Sequence, residues 1–143
     1  MRYPTSRTQS AHQVTTMLRS VMLLLLSGAV QASPLAYTCT IKHVYSLTDS
    51  GTLTTSPWDK NMKAGSFSVS RVTGEIIGDV VPTLMATSTR VVNKGTKENS
   101  FKAVADFGEQ YQLIEVQEFL TGEVKPFVAS SMSGAGIVTG TCK

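Results

Sequence analysis

Residues 35–47 read Leu35-Ala36-Tyr37-Thr38-Cys39-Thr40-Ile41-Lys42-His43-Val44-Tyr45-Ser46-Leu47. The odd positions are apolar apart from His43, and the even ones are mostly Thr, Lys and Ser. Thirteen residues of period-2 alternation mark a strand with one face on a core and one in water. The same reading extends downstream. Residues 33–143 hold 14 Thr, 12 Val and 5 Ile against 6 Leu. β-Branched side chains lose rotamer freedom in helices and pack well on a pleated sheet.

Turn residues punctuate the chain at short intervals. Thr48-Asp49-Ser50-Gly51 closes the first strand, and Thr73-Gly74-Glu75 separates Phe67–Val72 from Ile76–Val81. Asn93 to Asn99 separates Thr83–Val92 from Ser100–Phe107, while Gly108-Glu109-Gln110 and Thr121-Gly122-Glu123 bracket Tyr111–Leu120. Short strands at this spacing predict an all-β domain, an antiparallel up-and-down barrel or a sandwich. No stretch has a convincing helical period. Thr55 to Gly65 is the least regular piece and is expected to hold a loop or one short helical turn.

Near the C-terminus Gly134-Ala135-Gly136-Ile137-Val138-Thr139-Gly140 spells G-x-G-x-x-x-G. A dinucleotide loop of that kind needs a helix behind it to hold the pyrophosphate. Only Thr141, Cys142 and Lys143 follow Gly140. The stretch reads instead as a last strand, Ala135–Cys142, whose glycines allow close backbone approach or a bulge.

Residues 1–32 have a different character. Arg2, Arg7 and Arg19 are their only charges, and an apolar run from Val21 leads to Val30-Gln31-Ala32-Ser33. A basic flank, a short apolar run and a small-x-small site are the parts of a secretory signal peptide, with cleavage expected after Ala32. Met17 is an alternative start. The run falls short of the roughly 20 residues a spanning helix needs, so no stable membrane insertion is expected after cleavage. Tyr37 before Cys39 departs from the small residues that precede a lipidated cysteine.

Removing the leader takes three of the 13 basic side chains and leaves 10 against 10 acidic ones. A formally neutral domain with no block of Lys and Arg lacks the counterion-replacing patch that nucleic-acid binding requires. The remaining 111 residues suit a single domain, 33–143. Its two cysteines, Cys39 and Cys142, lie near its ends. In an exported chain such a pair is most simply a disulfide, here joining the first and last strands. With His43 as the remaining histidine, no metal site and no cofactor are expected.

Chemistry is sparse. His43 alternates in phase with Ile41 and Tyr45 and is expected on the apolar face or its margin. Glu115 and Glu118 point to opposite faces at strand spacing, and Glu109, Glu118 and Glu123 sit beside turns. Nothing is arranged as an acid–base pair. The first expectation is therefore an exported, non-catalytic binding protein for a protein or small-molecule ligand, periplasmic or secreted. Trp58, beside Pro57 in the irregular segment, is expected either to cap one end of the core or to be the main binding residue under that reading, because loops on a rigid scaffold carry recognition. Lys125 and Phe127, in Lys125-Pro126-Phe127, form a second binding candidate. Ser133 and Gly134, in the turn before the last strand, form a third.

Tyr37-Thr38-Cys39, the terminal cysteine and Ser133-Gly134-Ala135 also resemble features of bacterial periplasmic inhibitors of c-type lysozyme. Those are small exported β-barrels that insert an S-G-x-x-Y loop into the lysozyme cleft. The position of that tyrosine is Ile137 here, and the motif lies beside the C-terminus. The resemblance implies the alternative of a protein inhibitor or immunity factor against a cell-wall or toxin enzyme. The third expectation is a small hydrolase that uses His43.

Overall fold

In a computed structural model of the chain, the residues described are 35–78, 81, 83–131 and 136–143. The expected leader lies outside them, as do Ser133 and Gly134. The fold below is that of the unit Ala32–Lys143.

Among the described residues nine strands and one helical turn follow in order: β1 Ala36–Leu47, β2 Leu53–Thr55, α1 Asp59–Met62, β3 Ser66–Ser70, β4 Ile76–Gly78, β5 Ser88–Lys94, β6 Phe101–Asp106, β7 Tyr111–Val116, β8 Lys125–Ser131 and β9 Gly136–Cys142. Every registered pairing is antiparallel. They form one sheet in the order β4-β3-β1-β9-β8-β7-β6-β5, with β2 paired to β1. The last five strands are a simple up-and-down meander. The expected all-β class stands, and the architecture is a single curled sheet, a half-barrel.

The curl is visible in one contact. Tyr37 on β1 and Phe101 on β6 stand four strands apart, which in a flat sheet would be about 19 Å. Their ring centroids are 5.1 Å apart, edge to face. The concave side is the core, built from Ile41, Val44, Phe67, Val69, Ile114, Val116, Phe127 and Val138 among others. The Thr73–Glu75 turn comes against the far end of the curl. A Cβ on Gly74, whose φ is 78°, would lie 2.9 Å from Ala103 Cβ and 3.1 Å from the Arg90 carbonyl.

First and last strands lie side by side. Cys39 and Cys142 are direct cross-strand partners and are disulfide-bonded, closing a separation of 103 residues. Next to them Thr38 and Lys143 exchange backbone hydrogen bonds of 2.8 and 2.9 Å. The bridge belongs to an oxidising, non-cytosolic environment. No described helix is long and apolar enough to cross a membrane.

Gly140 shows why the final strand is rich in glycine. A Cβ there would sit 2.1 Å from the Thr40 carbonyl oxygen and 2.7 Å from Phe127 Cε1. Phe127, the cross-strand partner of Gly140, fills the room that a side chain would take.

One expectation for β1 is corrected. The alternation breaks at Lys42: Ile41 pairs with Gly140 but His43 pairs with Thr139, so the register slips by one residue. A bulge of this kind reverses the phase of everything beyond it. His43 therefore faces solvent, and Val44 takes the core position. Strand ends also move. β5 begins at Ser88 rather than Thr83 and β7 stops at Val116 rather than Leu120.

Candidate functional site

One edge of β1 is shared among three partners. β3 pairs with Ala36–Thr40 and β2 with Tyr45–Leu47, which leaves the backbone at 41–44 to find other partners. The 56–65 segment supplies them. Ile41 N–H donates to the Gly65 carbonyl at 2.9 Å, and Ala64 N–H donates to the Ile41 carbonyl at 3.0 Å. Ser56 N–H donates to the Val44 carbonyl at 2.8 Å, and Val44 N–H donates to Asp59 Oδ1 at 2.8 Å. Backbone polar groups that a bulge would orphan are thus satisfied by the segment that carries the helical turn and its flanks.

Trp58 opens that turn. Its carbonyl accepts from Asn61 and Met62, both at 3.0 Å, and its N–H donates to Ser56 Oγ at 3.2 Å. Met62 packs against the core from one side of the turn. The indole does not follow it inward: Trp58 is 56% exposed. A large apolar ring is held in solvent on backbone pinned to β1 at both ends. Asp59, 9% exposed, is the buried group that anchors it. The signal in the sequence that points to Asp59 is Ser56-x-x-Asp59, a spacing found at helix starts.

The other expected residues scatter. Phe127 is a core residue, 3% exposed, with its ring edge to face on Phe67 at a centroid distance of 5.3 Å. Lys125, half-buried at the start of β8, donates through Nζ to the carbonyls of Glu118 (3.1 Å) and Leu120, and so shapes the 117–124 connection. His43 is exposed, with the Tyr45 ring 5.9 Å away on the same face. Among the described residues no hydroxyl is hydrogen-bonded to its imidazole.

Glu118 has a larger part than its place beside a turn suggested. Its carboxylate accepts from Tyr37 Oη at 2.9 Å and pairs with Arg71 Nη2 at 3.4 Å, while the Arg71 guanidinium lies 4.6 Å from the Tyr37 ring centroid. The cluster ties β1, the turn after β3 and the connection after β7 across the mouth of the curl. Burial, and then the hydrogen bond donated to Glu118, push the Tyr37 hydroxyl well above the ordinary tyrosine pKa.

Among the described residues, two surface cavities are shallow. One of about 210 Å³ is lined by Thr38, Thr40, Val124, Thr141, Cys142 and Lys143; the other, about 130 Å³, lies between Glu75–Gly78 and Leu84. Both are smaller than the ~300–1,000 Å³ usual for small-molecule pockets. Among the described residues no three His, Cys, Asp or Glu side chains gather as metal ligands would. Comparisons with protein-family models, curated proteins and solved structures found no match to the chain.

Proposed function

We propose that this chain is an exported, non-catalytic binding protein, periplasmic or secreted, which engages its partner through Trp58. The observation that carries the reading is the exposed indole on a turn fastened to β1. An exposed aromatic ring on mobile backbone would lose entropy on binding; one on pinned backbone is pre-organised. Tryptophan is also the residue most often found at the energetic centre of interfaces.

Trp58 is the only tryptophan in the chain, so it reports on itself. Protein labelled with 5-fluorotryptophan gives a single ¹⁹F resonance. Added to extract of the compartment that receives the protein, the line should shift or broaden relative to buffer. The reading fails if the line keeps its position and width in concentrated extract.

A further inference from the structure

The convex side of the sheet carries a second surface, separate from the Trp58 turn. Cross-strand neighbours place Val104, Leu113, Ser130, Ile137 and Tyr45 in one transverse row over five strands. On the concave side of the same strands stand Ala103, Ile114, Ala129, Val138 and Val44, all buried. Over these five strands the sheet is apolar on both faces, with Ser130 the exception, and on the edge strand β5 the row ends at the exposed Arg90, cross-strand partner of Val104. That pattern belongs to a sheet covered on both sides, whereas a one-sided sheet alternates apolar and polar. The opposite end of β1 and β9 does alternate, with Thr38, Thr40 and Thr141 turned outward.

Charge on the flanks of the row indicates what covers it. Asp106 and Tyr111 are paired one step along the strands in one direction, and Lys102 and Glu115 are paired one step in the other. A twofold axis along the row, between two copies face to face, exchanges these flanks. It sets Asp106 over the partner's Lys102 and the Tyr111 hydroxyl over the partner's Glu115, each contact occurring twice. An in-plane axis running along β6 would instead set Asp106 on Asp106 and Lys102 on Lys102. Lys102 already lies 3.5 Å from Glu115, so each interface would join two such pairs into a network.

We propose that the outer face of β6 and β7 binds a second copy of this chain, as a face-to-face dimer whose twofold axis follows the Val104–Leu113 row. Leu113 and Tyr111, 41% and 64% exposed, are the apolar anchors. Packed sheets stand about 10 Å apart with strands within about 30°.

Sedimentation velocity on the disulfide-bonded protein over a range of concentrations tests this. The mass should rise reversibly from monomer to dimer, less so at high salt. Leu113→Lys should sediment as monomer throughout. Asp106→Lys and Lys102→Asp should each weaken self-association by more than about tenfold, because each sets like charges together. Mixed in equal amounts, these two variants should dimerise again, since the mixed pair restores both attractions. Asp106 also accepts the Gly108 N–H at 2.8 Å, so near-UV circular dichroism must first show a native fold. A wild type that stays monomeric, a Leu113→Lys variant that dimerises as wild type does, or native-folded swap variants that stay apart when mixed would each overturn the proposal.

Discussion

The carboxylate of Asp59 accepts the amide hydrogen of Val44 at 2.8 Å, in a buried position, and through that bond the turn bearing Trp58 is attached to the middle of β1. Removing the acceptor leaves a buried N–H with no partner, which costs about 1–3 kcal/mol. Asp59→Ala should therefore lower the thermal midpoint by several degrees. Asp59→Asn retains an acceptor oxygen and should keep most of that stability. Calorimetry on the two variants checks both outcomes.

Trp58 itself should matter little to stability. With its ring more exposed than buried, Trp58→Ala should change unfolding free energy by no more than about 0.5 kcal/mol, the range of ordinary surface substitutions. Urea denaturation measures this. A loss of several kcal/mol would mean that the ring belongs to the core.

Gly140 should tolerate no side chain. A methyl group 2.1 Å from the Thr40 carbonyl oxygen meets backbone of the adjoining strand, and backbone cannot turn aside as a side chain can. Gly140→Ala should cost at least ~1–3 kcal/mol by overpacking. Shortening the other neighbour in Gly140→Ala/Phe127→Leu should not recover it, because the clash with Thr40 remains. Denaturant midpoints of the single and double variants decide.

The disulfide closes most of the chain into a loop. Replacing Cys39 and Cys142 together with serine should cost roughly 2–5 kcal/mol, through the freed entropy of the unfolded chain and the loss of a buried apolar bridge. Reduction under native conditions should be slow, since both cysteines are buried. Unfolding with and without reductant gives the difference.

Alkaline pH should act through Tyr37. The folded protein holds this hydroxyl protonated beyond the point where an unfolded tyrosine ionises, near pH 10. Its contribution is therefore full below about pH 10 and is lost as pH rises from there through the raised folded value. Tyr37→Phe should show a flatter decline in stability above about pH 10 than wild type does. At neutral pH it should lose about 0.5–1.5 kcal/mol, the worth of one hydrogen bond. Denaturation profiles of both proteins from neutral to alkaline pH test the sign.

Period, turn residues and cysteine placement carried the fold a long way. The alternation in Leu35–Leu47 marks β1, and the paired Thr-Gly-Glu turns mark the gaps before β4 and β8. Cys39 and Cys142 near the two ends announce that first and last strands meet. What stayed hidden depends on one inserted residue. Nothing in Lys42 announces a bulge, since its position only becomes extra once Gly140 and Thr139 of β9 lie opposite. For that reason His43 reads as inward and Val44 as outward, the reverse of what forms. Phe127 is hidden for a related reason, because beside Lys125 and Pro126 it looks like a surface group until Gly140 opens a place for it. Trp58 was legible as an irregular-segment aromatic. The anchor beneath it, Asp59, acts through a backbone amide fifteen residues away in sequence. Glu118 likewise meets Tyr37 and Arg71 only after the sheet has curled.

Trp58 is proposed as a recognition residue on a rigid scaffold. Native mass spectrometry of wild type and Trp58→Ala, each recovered from the compartment that receives the protein and compared with its denatured mass, tests it most directly. The wild type should carry an added mass beyond any second copy of the chain, absent or strongly reduced on the variant. A protein-sized addition would favour an inhibitor or immunity factor, and a small one a ligand carrier. The same bound species on both proteins, or none on either, would contradict the assignment of Trp58.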